Sequence, residues 1–278
     1  MKIHVLHCGT ICLTEEEIYS PEQGRMVSAV RRIAGLEAKQ TLPVSCYLVE
    51  HPHGLFLVDT GWCRSISPDG VWNKTAAEAV LPRNLVRSLE PAVAKGQTVS
   101  EQLEAHGIRP EDLDCVILTH LDADHVAGLQ SVSGAKRIVL SEDEYFWACR
   151  TVYKRRQPWN LWIDQKIERI YYRGSPLGPN HWAIDLFGDE SVQLVNLPGH
   201  TDGMAAVLLR DHGRFVLLAA DAAISPKNWQ DMVVPGFGFS RQWQAKSLQW
   251  IRETAADPAC AAILCSHDPD VLPQILEI

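Results

Sequence analysis

Four potential metal ligands, His120, Asp122, Asp124 and His125, fall within six residues of this chain. They directly follow the apolar run Cys115 to Leu118, which reads as a buried strand. Side chains just past the carboxyl end of such a strand lie at the rim of a sheet, where open active sites collect. The fold must therefore contain a sheet whose rim gathers these groups. Imidazole and carboxylate together suit Zn, Fe, Mn or Co, and the lack of cysteine among them argues against a closed structural zinc site. The competing reading is that Asp124 caps the next helix and the histidines are incidental. Four alternating ligand types in one turn, with more downstream, outweigh it.

The arrangement recurs along the chain. His200 follows an apolar run at 192–197, Asp221 follows 214–220, and His267 follows 261–265. Further strands are expected at 44–49, 54–58 and 136–140, with a turn at His51 to Gly54 between the first two. Residues 205–210 and 214–220 read as a hairpin around Asp211, His212 and Gly213. A helix is expected over 98–106, opened by a capping box of Thr98 and Glu101 and stopped by Gly107. Ser141 with Glu144 reads as a second capping box, opening a helix to about Arg156 whose basic end, Lys154, Arg155 and Arg156, is solvated. A third helix has 3.6-residue periodicity over 242–256. Strand pairs, then alternating strand and helix, then strand pairs again predict an α/β sandwich: two mixed β-sheets packed face to face with helices outside, in four αββα layers. No linker interrupts the chain, so residues 1–278 are expected to form one domain, with an aromatic-rich helical insertion at about 141–182.

Composition narrows the function classes. The 278 residues are 46% hydrophobic and 22% charged, enough for a sizeable core. A net charge of −8 disfavours a nucleic-acid partner. No apolar run reaches the length of a membrane helix, and the first residues read as a strand rather than a leader. The eight cysteines form no CxxC pair, and Cys46, Cys115 and Cys265 fall in apolar strands, which reads as reduced thiols in a cytoplasmic protein. The spacing of Cys8 and Cys12 alone is weak evidence of metal binding.

The ligand set resembles the metallo-β-lactamase superfamily, whose hallmark is H-x-H-x-D-H followed by a distant His, Asp and His. The turn Asp59-Thr60-Gly61 and the lead-in from Gly107 to Asp114 match it too, and the resemblance spans about residues 42 to 268. Asp221 with Ala222, the segment from Asn228 to Gly236, and Ser266 to Asp268 look most like the N-acyl-homoserine lactonase branch. The resemblance implies a dinuclear centre with zinc, or else Mn, Fe or Co. One ion would be held by His120, Asp122 and His200, the other by Asp124, His125 and His267, with Asp221 bridging. Asp124 and Asp221 would also serve in catalysis, and Asp59 would orient a ligand histidine. The two ions would share a hydroxide nucleophile and polarise a substrate carbonyl.

Two positions depart from the family pattern. Asp122 stands where the second His is usual, making the site one charge less positive; this favours hard ions such as Mn or Fe and makes bound water less acidic. Ile224 stands where the lactonases carry a Tyr that assists the carbonyl oxygen. The expected function is hydrolysis of a lactone or carboxylic ester, a small-molecule substrate, by a monomer or homodimer with no nucleic acid or membrane partner. Hydrolysis of another acyl or phosphoryl bond, a non-catalytic metal sensor, and a single-ion site without Asp122 are the alternatives.

Overall fold

The computed structural model describes residues 1–20, 38–150 and 158–278. One sheet contains β13 (Ile275–Glu277), β1 (Lys2–Thr14), β2 (Lys39–His51), β3 (Gly54–Val58), β4 (Cys115–Ile117), β5 (Ile138–Ser141) and β6 (Glu168–Ile170), in that order. The other runs β12 (Cys260–Cys265), β11 (Arg214–Ala220), β10 (Ala205–Asp211), β9 (Val192–Asn196), β8 (Trp182–Asp185) and β7 (Arg173–Gly174). Both are mixed. The steps from β3 through β6 and from β11 to β12 are parallel, and the rest antiparallel.

Period-two alternation explains the layers. Val5, Val49, Phe56, Val58 and Ile117 face Val192, Leu194, Val207, Val216 and Leu218 in one cluster between the sheets. Their neighbours Leu6, Leu48, Leu57 and Val116 face outward onto α4 (Val99–Ala105) through Val99 and Leu103. On the other side Val195, Leu208 and Leu217 pack on α8 (Arg241–Ala255) through Leu248 and Ile251. Strands buried on both faces must be apolar almost throughout, which is why these runs show little polar alternation. On α8 the buried positions Gln244, Ser247, Leu248 and Ile251 follow the helical repeat. The shorter helices are α1 (Glu15–Ile18), α2 (Lys74–Val80), α3 (Arg83–Leu89), α5 (Ala123–Val126), α6 (Glu142–Ala148) and α7 (Pro226–Gln230). The expected αββα sandwich is the observed one.

Local expectations fare unevenly. The capping box at Thr98 and Glu101 is formed at both ends, and the hairpin turns through His212 and Gly213 at φ 46° and 76°, as a two-residue turn with two left-handed residues requires. Two readings need correction. The described part of the stretch 141–182, expected as a helical insertion, carries α6 and one 3-10 turn, then β6, β7 and the start of β8, which extend both sheets. These strands are short and largely exposed, so their sequence lacks a hydrophobic period. The helix expected to reach Arg156 is described only to Ala148; Lys154, Arg155 and Arg156 lie outside the described residues. All eight cysteines are free thiols. Among the described residues, no helix is long and apolar enough to cross a membrane.

Candidate metal centre

The strand directions bring the ligand runs to one end of the sandwich. β3 and β4 are parallel, so Asp59 and His120 leave the first sheet side by side. In the second sheet β11 and β12 are parallel, and β9 points the same way across β10, so His200, Asp221 and His267 emerge together. Ala205 N–H donates to the Thr119 carbonyl at 2.9 Å, and Ser45 N–H to that of Ser266 at 2.8 Å, tying the two sheets at this rim. Ala220 at φ 48° turns the chain so that Asp221 leaves β11.

The seven ligand candidates converge into overlapping groups: His120, Asp122 and His200; Asp124, His125 and His267; and His120, His125 and Asp221. Within each group the donor atoms lie within 4.8 Å of one another. Asp221 divides between the first two. Its Oδ1 lies 3.2 Å from His125 Nε2 and 3.3 Å from His267 Nε2. Its Oδ2 lies 4.0 Å from His120 Nε2 and 3.8 Å from His200 Nε2. Asp122 Oδ2 completes one side at 3.0 Å from His200 Nε2, and Asp124 Oδ2 the other at 3.4 Å from His267 Nε2. Asp122 stands at the N-cap of α5, but its side chain makes no capping hydrogen bond.

The atoms aimed inward are orphans. His120 Nε2, His125 Nε2, His267 Nε2 and Asp221 Oδ1 are buried and make no hydrogen bond. Buried polar atoms are rarely left so, and converging ones fit a cation. The opposite ring nitrogens are engaged, which fixes the tautomers with Nε2 as the lone pair. His125 Nδ1–H donates to Asp59 Oδ2 at 2.8 Å, and His267 Nδ1–H to the Pro43 carbonyl at 2.8 Å. Thr119 Oγ1 donates to Asp59 Oδ2 at 2.8 Å, so it accepts from His120 Nδ1–H at 3.0 Å. Asp59 thus serves two neighbours from a left-handed backbone of φ 59°. Thr60 donates from Oγ1 to the His125 carbonyl at 2.8 Å.

Charge differs across the cluster. Burial and the charge on His125 push the His120 pKa well below its ordinary value, leaving a neutral imidazole. Burial opposes charge on His125 as well, but Asp221, Asp59 and Asp124 outweigh it and raise its pKa well above the ordinary value. His267 is raised in the same way, against burial and chiefly by Asp221. Without a cation these carboxylates therefore draw a proton to His125 and His267 more strongly than to an ordinary imidazole.

Some residues did not come from the sequence. Glu144 is wholly buried, its pKa pushed up to about 8 by burial. The expected capping box is only half formed: Glu144 N–H donates to Ser141 Oγ, but the Glu144 carboxylate turns away to Leu121 and Thr201. No local signal distinguishes that from a true box. Phe237 presents a ring edge-on to His200 at 5.4 Å between centroids. Ile224 points into the apolar cluster of Ile11, Leu42, Val44 and Trp62, fully buried. Trp147 and Trp162 pack in the core, whereas Phe146 is exposed. His53 and His212 are exposed, and His51 half-buried.

The family model of the metallo-beta-lactamase superfamily matches residues 40–262, and the chain belongs to that superfamily. It is 27% identical over 269 residues to the N-acyl homoserine lactonase AttM of Rhizobium radiobacter, covering 93% of this chain and 95% of that protein. The N-acyl homoserine lactonase AiiA of Bacillus thuringiensis subsp. kurstaki is 27% identical over 214 residues, 76% of either chain. A solved N-acyl homoserine lactone hydrolase, with the product N-hexanoyl-L-homoserine at its catalytic metal centre, superposes with a TM-score of 0.73 at 21% identity, over 96% of this chain and 93% of that one. AidC, a dizinc quorum-quenching lactonase, superposes at 0.63 and 17% identity, over 96% and 87%. At these identities the structural likeness establishes the fold.

Proposed function

We propose that this chain is a divalent-metal-dependent hydrolase that opens the lactone ring of an N-acyl homoserine lactone or a close ester analogue. The observation that carries it is the division of Asp221: one oxygen faces the His125 and His267 imidazoles, the other those of His120 and His200. With Asp122 on one side and Asp124 on the other, this makes two ligand sets joined by a single carboxylate. Its similarity to lactonases over nearly the whole chain supports the substrate class. Two bound ions would supply Lewis acidity and an acidified water at the scissile carbonyl.

The chain's own residues divide the remaining work. Asp221 holds the two sets at a fixed spacing. Asp59, Thr119 and the Pro43 carbonyl lock the imidazole tautomers. Asp124 Oδ2 faces the cluster, 3.8 Å from His125 Nε2 and 3.4 Å from His267 Nε2, and is placed to take a proton released during attack. Phe237 forms an apolar wall beside His200. Ile224 is buried away from the cluster, so no phenol assists from that position. We assign zinc as the first candidate ion, with manganese, iron or cobalt as alternatives and the extra carboxylate raising the relative affinity for the harder ions. The thiols of Cys8, Cys46, Cys115 and Cys265, reduced and buried, fit work in the cytoplasm.

The test is elemental analysis of chelator-free protein alongside turnover of N-hexanoyl-homoserine lactone, an aryl ester and a phosphodiester. The expected result is about two ions per chain, and lactone opening that chelation abolishes and added metal restores. Two ions with turnover of the phosphodiester alone would overturn the substrate assignment.

A further inference from the structure

Glu144 is a buried acid for which the scheme above has no task. Its two oxygens reach two different loops. Oε1 accepts from Leu121 N–H at 3.2 Å, and Oε2 accepts from Thr201 Oγ1 at 2.5 Å. Leu121 stands between His120 and Asp122, and Thr201 directly follows His200. One side chain on α6 therefore joins the loops that carry all three members of the His120, Asp122 and His200 group. The other group is held without Glu144: Asp59 and Thr60 hold His125, and Pro43 holds His267, Asp59 also accepting from Thr119 behind His120.

The docking of α6 on the His200 loop is made at backbone distance. A Cβ on Gly203 would meet Glu144 N at 1.9 Å, so only glycine lets the loop lie there. Ser141 Oγ and Tyr172 OH both donate to the Gly203 carbonyl, at 2.7 and 3.0 Å. The N-terminus of α6 is thus fitted to this loop, and Glu144 carries the link onward to Leu121.

We propose that Glu144 is a positioning residue that clips the His120–Asp122 loop to the His200 loop and so sets the spacing of one cation position, leaving the other to its own supports. The inference rests on the two-position reading of the centre. The chemistry is a shared acceptor: one carboxylate satisfies a buried amide on one loop and a buried hydroxyl on the other. A carboxamide would serve nearly as well. Its oxygen accepts from Leu121 N–H, and its NH2 donates to Thr201 Oγ1, because a hydroxyl accepts as readily as it donates.

The test is a titration of chelator-stripped protein with Zn²⁺ against a chromophoric competitor, with the melting temperature of each metal-free variant recorded. Glu144→Ala is expected to weaken one of the two cations by about 10–100-fold and leave the other unchanged. Glu144→Gln should restore most of that affinity. Thr201→Val, which removes one of the two bonds and serves if the alanine variant does not fold, should give a smaller loss on the same cation. That cation should be the one lost in His200→Ala, with no further loss when Glu144→Ala is added. Equal weakening of both cations, no weakening, or a glutamine variant as poor as the alanine would each overturn the clip. Wild-type protein that binds fewer than two cations breaks the two-position reading itself, a failure visible before any variant is compared.

Discussion

Asp122 keeps 24% of its side chain exposed, whereas Asp124, His125 and His267 keep 7%, 1% and 1%. The two proposed ligand groups share a short loop and the Asp221 carboxylate, yet one is open to water at its carboxylate corner and the other closed. The closed group is held by Asp59, Thr60 and the Pro43 carbonyl, all parts of the first sheet or the turn after it. The open group depends on Thr119 behind His120 and on Glu144 between its loops. Backing of this kind tunes a site as much as the ligands themselves. The closed position should therefore be the more rigid and the more sensitive to protons, and the open position the more tolerant of a changed ligand.

Removing what the two positions share should have the largest effect. Asp221→Ala is expected to lower kcat/KM by on the order of 10²–10³-fold or more, with loss of bound metal. Ile224→Ala, three residues away and wholly within the core, should instead cost about 2–5 kcal/mol of stability and leave the folded enzyme's kcat/KM near wild type. Equal kcat/KM losses with metal retained in both variants would count against the bridge.

The next effect should fall mainly on the closed side. Asp59→Asn cannot accept from Thr119 and His125 with both oxygens, so the His125 tautomer loosens. Metal affinity should drop by about 10–100-fold at the closed position and less at the open one, whose His120 is reached only through Thr119. A uniform drop at both, seen by the same competition titration, would mean that Asp59 supports the rim as a whole.

Proton competition should separate the positions further. In the metal-free fold His125 and His267 are raised above the ordinary imidazole value, while His120 is lowered well below it. A cation must displace the protons on His125 and His267 but meets a neutral His120. Binding at the closed position should strengthen as pH rises through the raised pKa of these rings, and that position should empty first on acidification. The metal-free fold has the opposite sign: the proton on His125 stabilises it fully below the unfolded value of ~6.5, and this is lost as pH rises through the raised folded pKa. Isothermal titration at several pH values, with proton release counted from buffer enthalpies, checks both. Identical pH slopes for the two cations would erase the distinction.

This asymmetry was only half legible in the sequence. The ligand-bearing strand ends announce themselves because each couples a local apolar run to a polar terminus, as at Leu118 to His120 and Ala220 to Asp221. The αββα layering follows from the same runs. What stands behind each ligand is tertiary. Pro43 and His267 are far apart in sequence, and their hydrogen bond has no pattern. Glu144 is worse than silent, since Ser141 three residues before it imitates a capping box while the carboxylate goes elsewhere. The strands from Glu168 to Gly174 are edge pieces whose exposed side chains carry no periodicity. The departures at Asp122 and Ile224 are readable as letters, but only the burial of Ile224 and the exposure of Asp122 say what each does.

The smallest expected effect is the most discriminating for the open position. Asp122→His adds one unit of positive charge to the centre, which should stabilise bound hydroxide over water. The acidic limb of kcat/KM against pH should then move to lower pH, because that limb reports ionisation of the free enzyme's essential group. Relative affinity should shift towards zinc and away from manganese, since imidazole is the softer donor. Geometry decides whether the change is clean. Asp122 Oδ2 lies 3.0 Å from His200 Nε2, so a larger ring must move outward to leave room for a cation between them. The exposed corner allows that movement; the same exchange at Asp124, with 7% of its side chain exposed, would have nowhere to go. Asp124→His should therefore lose metal, whereas Asp122→His should keep it. Metal stoichiometry measured beside the kinetics separates these outcomes. Full occupancy in Asp122→His with an unmoved acidic limb and unchanged metal preference would show that Asp122 does not tune the site, and the contrast between an open and a closed position would then rest on burial alone.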